Sequence, residues 1–199
     1  MVQSIDNKIV SRIYGKKRGW VFTPMHFLDL GSRMAVDQAL GRLMKSGAIR
    51  RLARGLYDYP AKHPDFGILP PNYDRIAQAL VGRDNLKIQP SGAYAANLLG
   101  LTEQVPAKIV FFTDGPNRKV QVGKRTIILK RTTPRNMATA GRISGLVIQA
   151  LRYLKQSNID STTIMKLKRR LSDNDKKTLM SDIRYAPAWI GDIFRKINE

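Results

Sequence analysis

Two positions carry residue types that could do covalent or metal chemistry. Ser91 sits in Pro90-Ser91-Gly92, where a serine nucleophile would need a partner base and an elbow of the G-x-S-x-G type. The surrounding residues read Ile-Gln-Pro-Ser-Gly-Ala-Tyr, without that elbow. The chain has two histidines, His26 in a short apolar helical segment and His63 in a proline-rich loop. Neither is placed to activate Ser91, which is expected to cap a helix N-terminus. Asp114 follows the apolar run Lys-Ile-Val-Phe-Phe-Thr, where a metal-dependent nuclease would place a carboxylate. Such a site needs further acids to hold a divalent cation, and residues 118–131 contain none. Asp114 is therefore expected to form a turn. There is no cysteine, which removes disulfides, thiolate metal sites and cysteine nucleophiles. No phosphate-binding loop or dinucleotide fingerprint is present. The sequence offers no catalytic constellation, and no enzyme activity, metal or cofactor is expected.

What the chain offers instead is positive charge. Its 199 residues hold 35 Lys plus Arg against 15 Asp plus Glu, a net charge of +20. The excess is spread along the chain: +7 in residues 1–60, +7 in 61–135 and +6 in 136–199. Hydrophobic content is 43%, enough for a packed core and too much for a disordered basic tail. The amino-terminal residues lack the apolar run of a signal peptide, and no uncharged stretch is apolar enough to span a bilayer. These features point to a cytoplasmic protein with a polyanionic partner, nucleic acid first, and no membrane association.

The elements that would position this charge begin with a helix over residues 3–15, on the spacing of Ile5, Ile9, Val10 and Ile13. Lys16, Lys17 and Arg18 follow it and are candidate DNA contacts. Thr23-Pro24 starts a short helical segment that Gly31 stops. Ser32 caps a longer helix from Arg33 to Ser46, with Val36, Ala39, Leu40, Leu43 and Met44 on one arc. Met34, Gln38, Gly41, Arg42 and Lys45 face the other way. Residues 49–59 read as a β-hairpin turning at Arg54-Gly55. This order is that of a winged helix-turn-helix, whose second helix enters the major groove. Arg33 and Gln38 would read base edges. Arg42, Lys45, Arg50, Arg51 and Arg54 would meet phosphates, or a narrow minor groove at the hairpin tip.

Residues 61–71, with four prolines in 60–71, read as a linker. Residues 72–199 read as a mixed α+β domain. It has a helix from about residue 72, a turn at Gly82-Arg83-Asp84, and a small, mostly antiparallel sheet over 86–131. A long helix with a stripe from Ile143 to Leu154 and two or three carboxy-terminal helices complete it. The expected fold class is α+β: an amino-terminal winged helix-turn-helix (1–60), a linker (61–71) and an α+β domain (72–199).

Four phrases carry a resemblance: Gly-Leu-Tyr-Asp-Tyr-Pro at 55–60, IQPSGAYAANLLGL at 88–101, VPAKIVFFTDGPNRKVQVG at 105–123 and LKRTTPRNMATAGRISGLVIQALRYL at 129–154. Across residues 5–155 the chain resembles the AbiEi-type antitoxins of type IV toxin–antitoxin systems, and more narrowly an AbiEi-like sub-family. The last forty residues carry no such phrase. The resemblance implies a winged helix that binds inverted repeats in its own promoter and represses the operon. It also implies a second domain with antitoxin activity against a nucleotidyltransferase-like toxin, in the setting of phage defence. It places DNA contacts at Ser32, Arg33, Gln38, Arg42, Arg50, Arg51 and Arg54. The candidate antitoxin surface is Ser91, Tyr94, Asn97, Lys130, Arg131, Thr133 and Arg135. Three alternatives stand beside it: a plain winged-helix regulator, an RNA-binding second domain, or a nuclease-like one built on Asp114.

Overall fold

The computed structural model describes residues 4–82 and 86–199. The chain is α+β and forms two compact units. One spans residues up to 86 together with 120–123; the other comprises 87–119 and 124–199. The boundary expected at 61–71 therefore lies at 86–87. Residue 3 of the expected first helix and Arg83-Asp84 of the expected turn lie outside the described residues.

In the first unit, α1 (Ile5–Gly15) starts at Ser4, whose side chain accepts a hydrogen bond from the Asn7 N–H. Ile9 and Ile13, one turn apart, bury the same face. β1 (Val21–Phe22) follows. The segment after Pro24 is a single 3-10 turn, Pro24–Phe27, because His26 closes a capping box with Thr23 and Leu28 ends the helical run. The Thr23 N–H donates to His26 Nδ1 at 3.1 Å, so the imidazole terminates a backbone segment. α2 (Arg33–Lys45) is capped by Ser32, whose Oγ accepts from the Ala35 N–H at 3.3 Å. β2 (Arg50–Ala53) and β3 (Leu56–Asp58) form a hairpin, and β1 adds to it in the order β1-β3-β2, all antiparallel. The turn between β2 and β3 needs Gly55, at φ +69°. The helices and sheet close over Phe22, Phe27, Val36, Leu40 and Ile49, with Phe22 and Phe27 edge-to-face at 5.4 Å.

The expected linker is ordered and belongs to this unit. β4 (Lys62–His63) and β5 (Gly67–Ile68) pair as a small antiparallel ladder. α3 (Tyr73–Val81), expected to open the second domain, packs on β1. Its buried stripe of Ile76, Ala77 and Leu80 gives it an apolar face to cover.

In the second unit, β6 (Ile88–Ser91), α4 (Gly92–Leu98), β7 (Lys108–Thr113), β8 (Arg118–Val122) and β9 (Arg125–Arg131) come first. The sheet order is β6-β7-β9-β8. β6 is antiparallel to β7, but β7 and β9 are parallel over their full register, Lys108 opposite Thr126 through Thr113 opposite Arg131. The sheet is thus small and mostly antiparallel, as expected, with one parallel pair at its centre. After Thr113 the chain runs back along the outer edge as β8, and a two-residue turn at Gly123-Lys124 returns β9 into the slot beside β7. Ile109, Phe111, Ile127 and Leu129 alternate to one buried face.

Helices follow: α5 (Pro134–Met137), α6 (Ile143–Leu154), α7 (Ser161–Arg170), α8 (Asp173–Ser181) and α9 (Ala188–Asn198). α4 packs on α6, and α7 and α8 pack on α9, burying Val147, Leu151, Leu167, Leu179 and Phe194. α6 approaches β6 closely at Gly145, where a Cβ would fall 2.6 Å from Gln89 Oε1. Among the described residues no helix is long and apolar enough to cross a membrane.

One buried charge organises this helical layer. Asp182, 2% exposed, accepts from Arg142 Nη1 at 2.6 Å and from the Ser144 hydroxyl. The carboxylate thus holds the start of α6 to the end of α8. Removing one partner of such a pair strands the other. Arg142→Ala is expected to cost about 3 kcal/mol in urea unfolding. Arg195→Ala, whose partner Asp192 is exposed, is expected to cost about 0.5 kcal/mol or less. Equal costs would mean that burial of Asp182 does not matter.

Candidate nucleic-acid interface

The outward face of α2 carries the residues expected to meet DNA, and carboxylates engage part of it. Arg33 Nε donates to Asp37 Oδ2 at 2.9 Å, one turn along the helix. Arg42 donates through Nε and Nη2 to Asp6 at 2.8 and 2.6 Å, and this bond to Asp6 raises the guanidinium pKa further above its ordinary value. Gln38 and Lys45 are exposed on the same face. Ser32 acts as the helix cap.

The hairpin divides in the same way. Arg50 is structural: its Nε and Nη2 hold Asp58 at 3.1 and 2.6 Å, and Nη2 also donates to the Leu69 carbonyl at 3.2 Å. Asp58 is 1% exposed, and Arg50 is the cation it pairs with. This corrects the expected phosphate contact at Arg50. Arg51 and Arg54 are exposed at and before the turn, with Arg51 Nε loosely turned to the Ala53 carbonyl at 3.4 Å. Lys16 and Lys17 are exposed beyond the end of α1. Arg18 lies over the Tyr59 ring at 4.6 Å and donates to the Pro60 carbonyl at 3.1 Å, so it fastens the strand end.

In the second unit the expected surface separates into core and exposed residues. Tyr94 is 5% exposed and packs edge-to-face on Phe111 at 5.4 Å, which makes it a core residue. Asn97 Nδ2 donates to the Thr102 carbonyl at 3.1 Å and ties down the loop after α4. Ser91 is buried at the end of β6. It stands at the N-cap position of α4 but makes no side-chain cap hydrogen bond, so the capping role expected for it is not seen. Lys130, Arg131, Thr133 and Arg135 are exposed. Thr133 precedes α5 without a side-chain cap bond, and the Arg131 N–H donates to Asn117 Oδ1 at 2.7 Å.

Two cations missing from the sequence reading stand beside Lys130. Arg118 and Lys119 share with Lys130, Asn117, Ile128 and Leu129 a shallow hollow of about 260 Å³. The signal was available: a two-residue turn at 123–124 sets 118 and 119 across from 129 and 128.

Asp114 Oδ1 accepts from the Lys87 N–H at 2.9 Å, which joins the strand ends of β6 and β7. Among the described residues no group of three or more His, Cys, Asp or Glu could hold a metal ion.

A family model described as a family of unknown function (DUF6088) matches residues 8–179. No curated protein matches the chain. A solved structure, the RV2827C protein from Mycobacterium tuberculosis, is similar at 14% identity and a TM-score of 0.47, covering 99% of this chain and 77% of that one.

The two hairpin arginines should respond oppositely to substitution. Arg50→Ala should lower the thermal midpoint, because it leaves the Asp58 charge buried without its partner. Arg54→Ala should change stability by less than about 0.5 kcal/mol. A differential melt of the two variants tests the division, and a melt unchanged by Arg50→Ala would return that residue to the surface set.

Proposed function

The chain belongs to the DUF6088 family, and we propose that this member is a cytoplasmic, non-enzymatic, DNA-binding autorepressor and antitoxin. Its first unit acts as a winged helix-turn-helix on inverted repeats in its own promoter. Its second unit neutralises a nucleotidyltransferase-like toxin. The observation that carries the DNA half is the exposed face of α2. There Gln38 and Lys45 lie outward on a capped helix that precedes a hairpin tipped by Arg51 and Arg54. The element order and the β1-β3-β2 sheet support the winged-helix reading. In such a unit α2 would lie in the major groove and the β2–β3 turn would follow the adjacent backbone. The antitoxin half is supported by the family-like phrases at 88–101, 105–123 and 129–154.

The mechanism follows from what each side chain can do. Gln38 presents an amide suited to an adenine edge. Lys45, Arg51 and Arg54 neutralise phosphates and release counterions, so binding weakens steeply with salt. Arg33 and Arg42 reach DNA only by exchanging Asp37 and Asp6 for phosphate. Repression then needs no chemistry beyond occupancy of the promoter.

Fluorescence anisotropy on the duplex upstream of its own gene, against a scrambled duplex, tests the DNA half. Gln38→Ala should lose about 1–3 kcal/mol on the operator and little on the scrambled duplex. Arg54→Ala should weaken both and lower the salt slope by about 1. Equal binding of the wild-type chain to both duplexes would remove the operator reading. Asp6→Asn should tighten binding to both duplexes, since it deletes a negative charge and releases Arg42. Unchanged affinity would place Arg42 away from the DNA. Co-expression with the neighbouring nucleotidyltransferase reading frame tests the antitoxin half: growth should be restored by the full chain, and failure to restore it would reject that role.

A further inference from the structure

Residues 115–159 contain ten Lys and Arg and no Asp or Glu. They span β8, β9, α5 and α6. Carboxylates elsewhere in the chain sit among the cations, as Asp6, Asp37 and Asp58 do in the first unit. A surface kept soluble by charge carries both signs interspersed, whereas a long run of one sign builds a directed field. Outside the 120–123 segment, the second unit as a whole has 21 basic and 8 acidic side chains, a net of +13.

The fold sorts these ten. Arg142 is held by Asp182. Arg125 donates to the Val105 and Pro106 carbonyls at 2.9 and 3.0 Å, and Arg152 to Asn136 Oδ1 at 2.9 Å. Lys124 lies at the hairpin turn and Lys155 follows α6. Arg118, Lys119, Lys130, Arg131 and Arg135 are exposed, as are Lys124 and Lys155, and Arg118 has a further contact of its own. Four of them, Arg118, Lys119, Lys130 and Arg131, lie toward the open end of the β8–β9 hairpin, where Asn117 accepts the Arg131 N–H. Arg135 lies four residues beyond, in α5. Arg118, Lys119 and Lys130 line one hollow, which Ile128 and Leu129 also line.

The geometry points to a phosphodiester-binding site at this sheet end, formed by Lys119, Lys130 and their neighbours. Its ligand is the backbone of a nucleic-acid strand. The charge density suits successive phosphates, and the shallow hollow of about 260 Å³ leaves room for a phosphate with its ribose. A shallow hollow on a strand pair accepts a single strand laid across it. The site is independent of α2 and its hairpin. It gives the second unit a nucleic-acid ligand in addition to the toxin of the antitoxin reading.

The test uses the full chain in two double variants of equal charge. Lys119→Ala/Lys130→Ala removes the site, and Lys177→Ala/Lys196→Ala removes two exposed cations from α8 and α9. Anisotropy is read with 12-nucleotide single-stranded RNA, single-stranded DNA of the same sequence, and a random duplex, over a salt series. The site variant should bind single strands roughly tenfold more weakly at low salt, with the slope lowered by about 1.4, the value for two lost phosphate contacts. The control variant should change by less than about twofold. Stronger loss on RNA than on DNA would identify ribose as part of the ligand, and equal loss would leave the backbone alone. Equal effects of the two double variants, or no binding of single strands by the wild-type chain, would overturn the proposal. Loss confined to the duplex would do the same. Operator binding by the site variant is read in parallel. A site variant that binds the operator normally but single strands weakly separates this site from the first unit's, and one that binds single strands normally would overturn the proposal; a wild-type chain that binds single strands but does not prefer the operator would reject only the α2 reading.

Discussion

Carboxylate is scarce in this chain, with 15 acidic side chains against 35 basic ones. Where each carboxylate sits decides which cations hold the fold. Asp29 holds Arg12, Asp58 holds Arg50 and Asp182 holds Arg142, while Asp6 and Asp37 engage Arg42 and Arg33. All five partners are arginines. The planar guanidinium can grip both carboxylate oxygens or add a carbonyl to its contacts, as Arg50 and Arg142 do. Lysine, a hydrated point charge, is left on the surface. Structural cations are therefore mostly arginine, and the outward-facing set is rich in lysine.

The remaining acids work mainly at backbone ends. Asp175 closes the capping box of α8 with Ser172. Asp160 caps α7, and the hydrogen bond from the Thr163 hydroxyl, helped by its N–H, holds that carboxyl below its ordinary pKa. Asp114 ties β6 to β7. Cations gather at the opposite helix ends: Lys168, Arg169 and Arg170 in the last turn of α7, and Arg195 and Lys196 in that of α9. This matches the helix dipole. Self-repulsion of a +20 chain is thus offset locally, by pairing and by alignment, rather than by a balanced surface.

This division explains what could be read from sequence. Local signals carried the elements: Ser32 as a cap, Thr23-Pro24 as a start, Arg54-Gly55 and Gly123-Lys124 as turns. Each acts within four residues. Pairings across the chain were not legible. Asp6 finds Arg42 across 36 residues and Asp182 finds Arg142 across 40, and no periodicity reports that. Arg50 looked like a phosphate contact because Asp58 lies on the other strand of its hairpin, where only the register brings them together. Tyr94 and Asn97 lie in a polar phrase, but one is buried against Phe111 and the other secures a loop. A type of residue suggests a role, and burial settles it. The unit boundary was missed for a similar reason. Prolines marked 61–71 as a connection, yet α3 had an apolar stripe to bury, and β1 offered a surface for it.

The two outward basic surfaces differ in how firmly they are held. Arg51 and Arg54 stand at a hairpin end whose register shifts between Arg51 and Ala53, so the ladder there is irregular. Lys130 and Arg131 stand on β9, which is paired on both sides, by β7 and by β8. Both are paired through β7, Lys130 opposite Phe112 and Arg131 opposite Thr113, and the Arg131 N–H donates to Asn117 Oδ1. A strand bound there loses its own freedom but little of the protein's, which favours affinity that does not depend on sequence. Inserting β9 between β7 and β8 therefore does more than complete a sheet. It sets Lys130 beside Arg118 and Lys119 around one hollow.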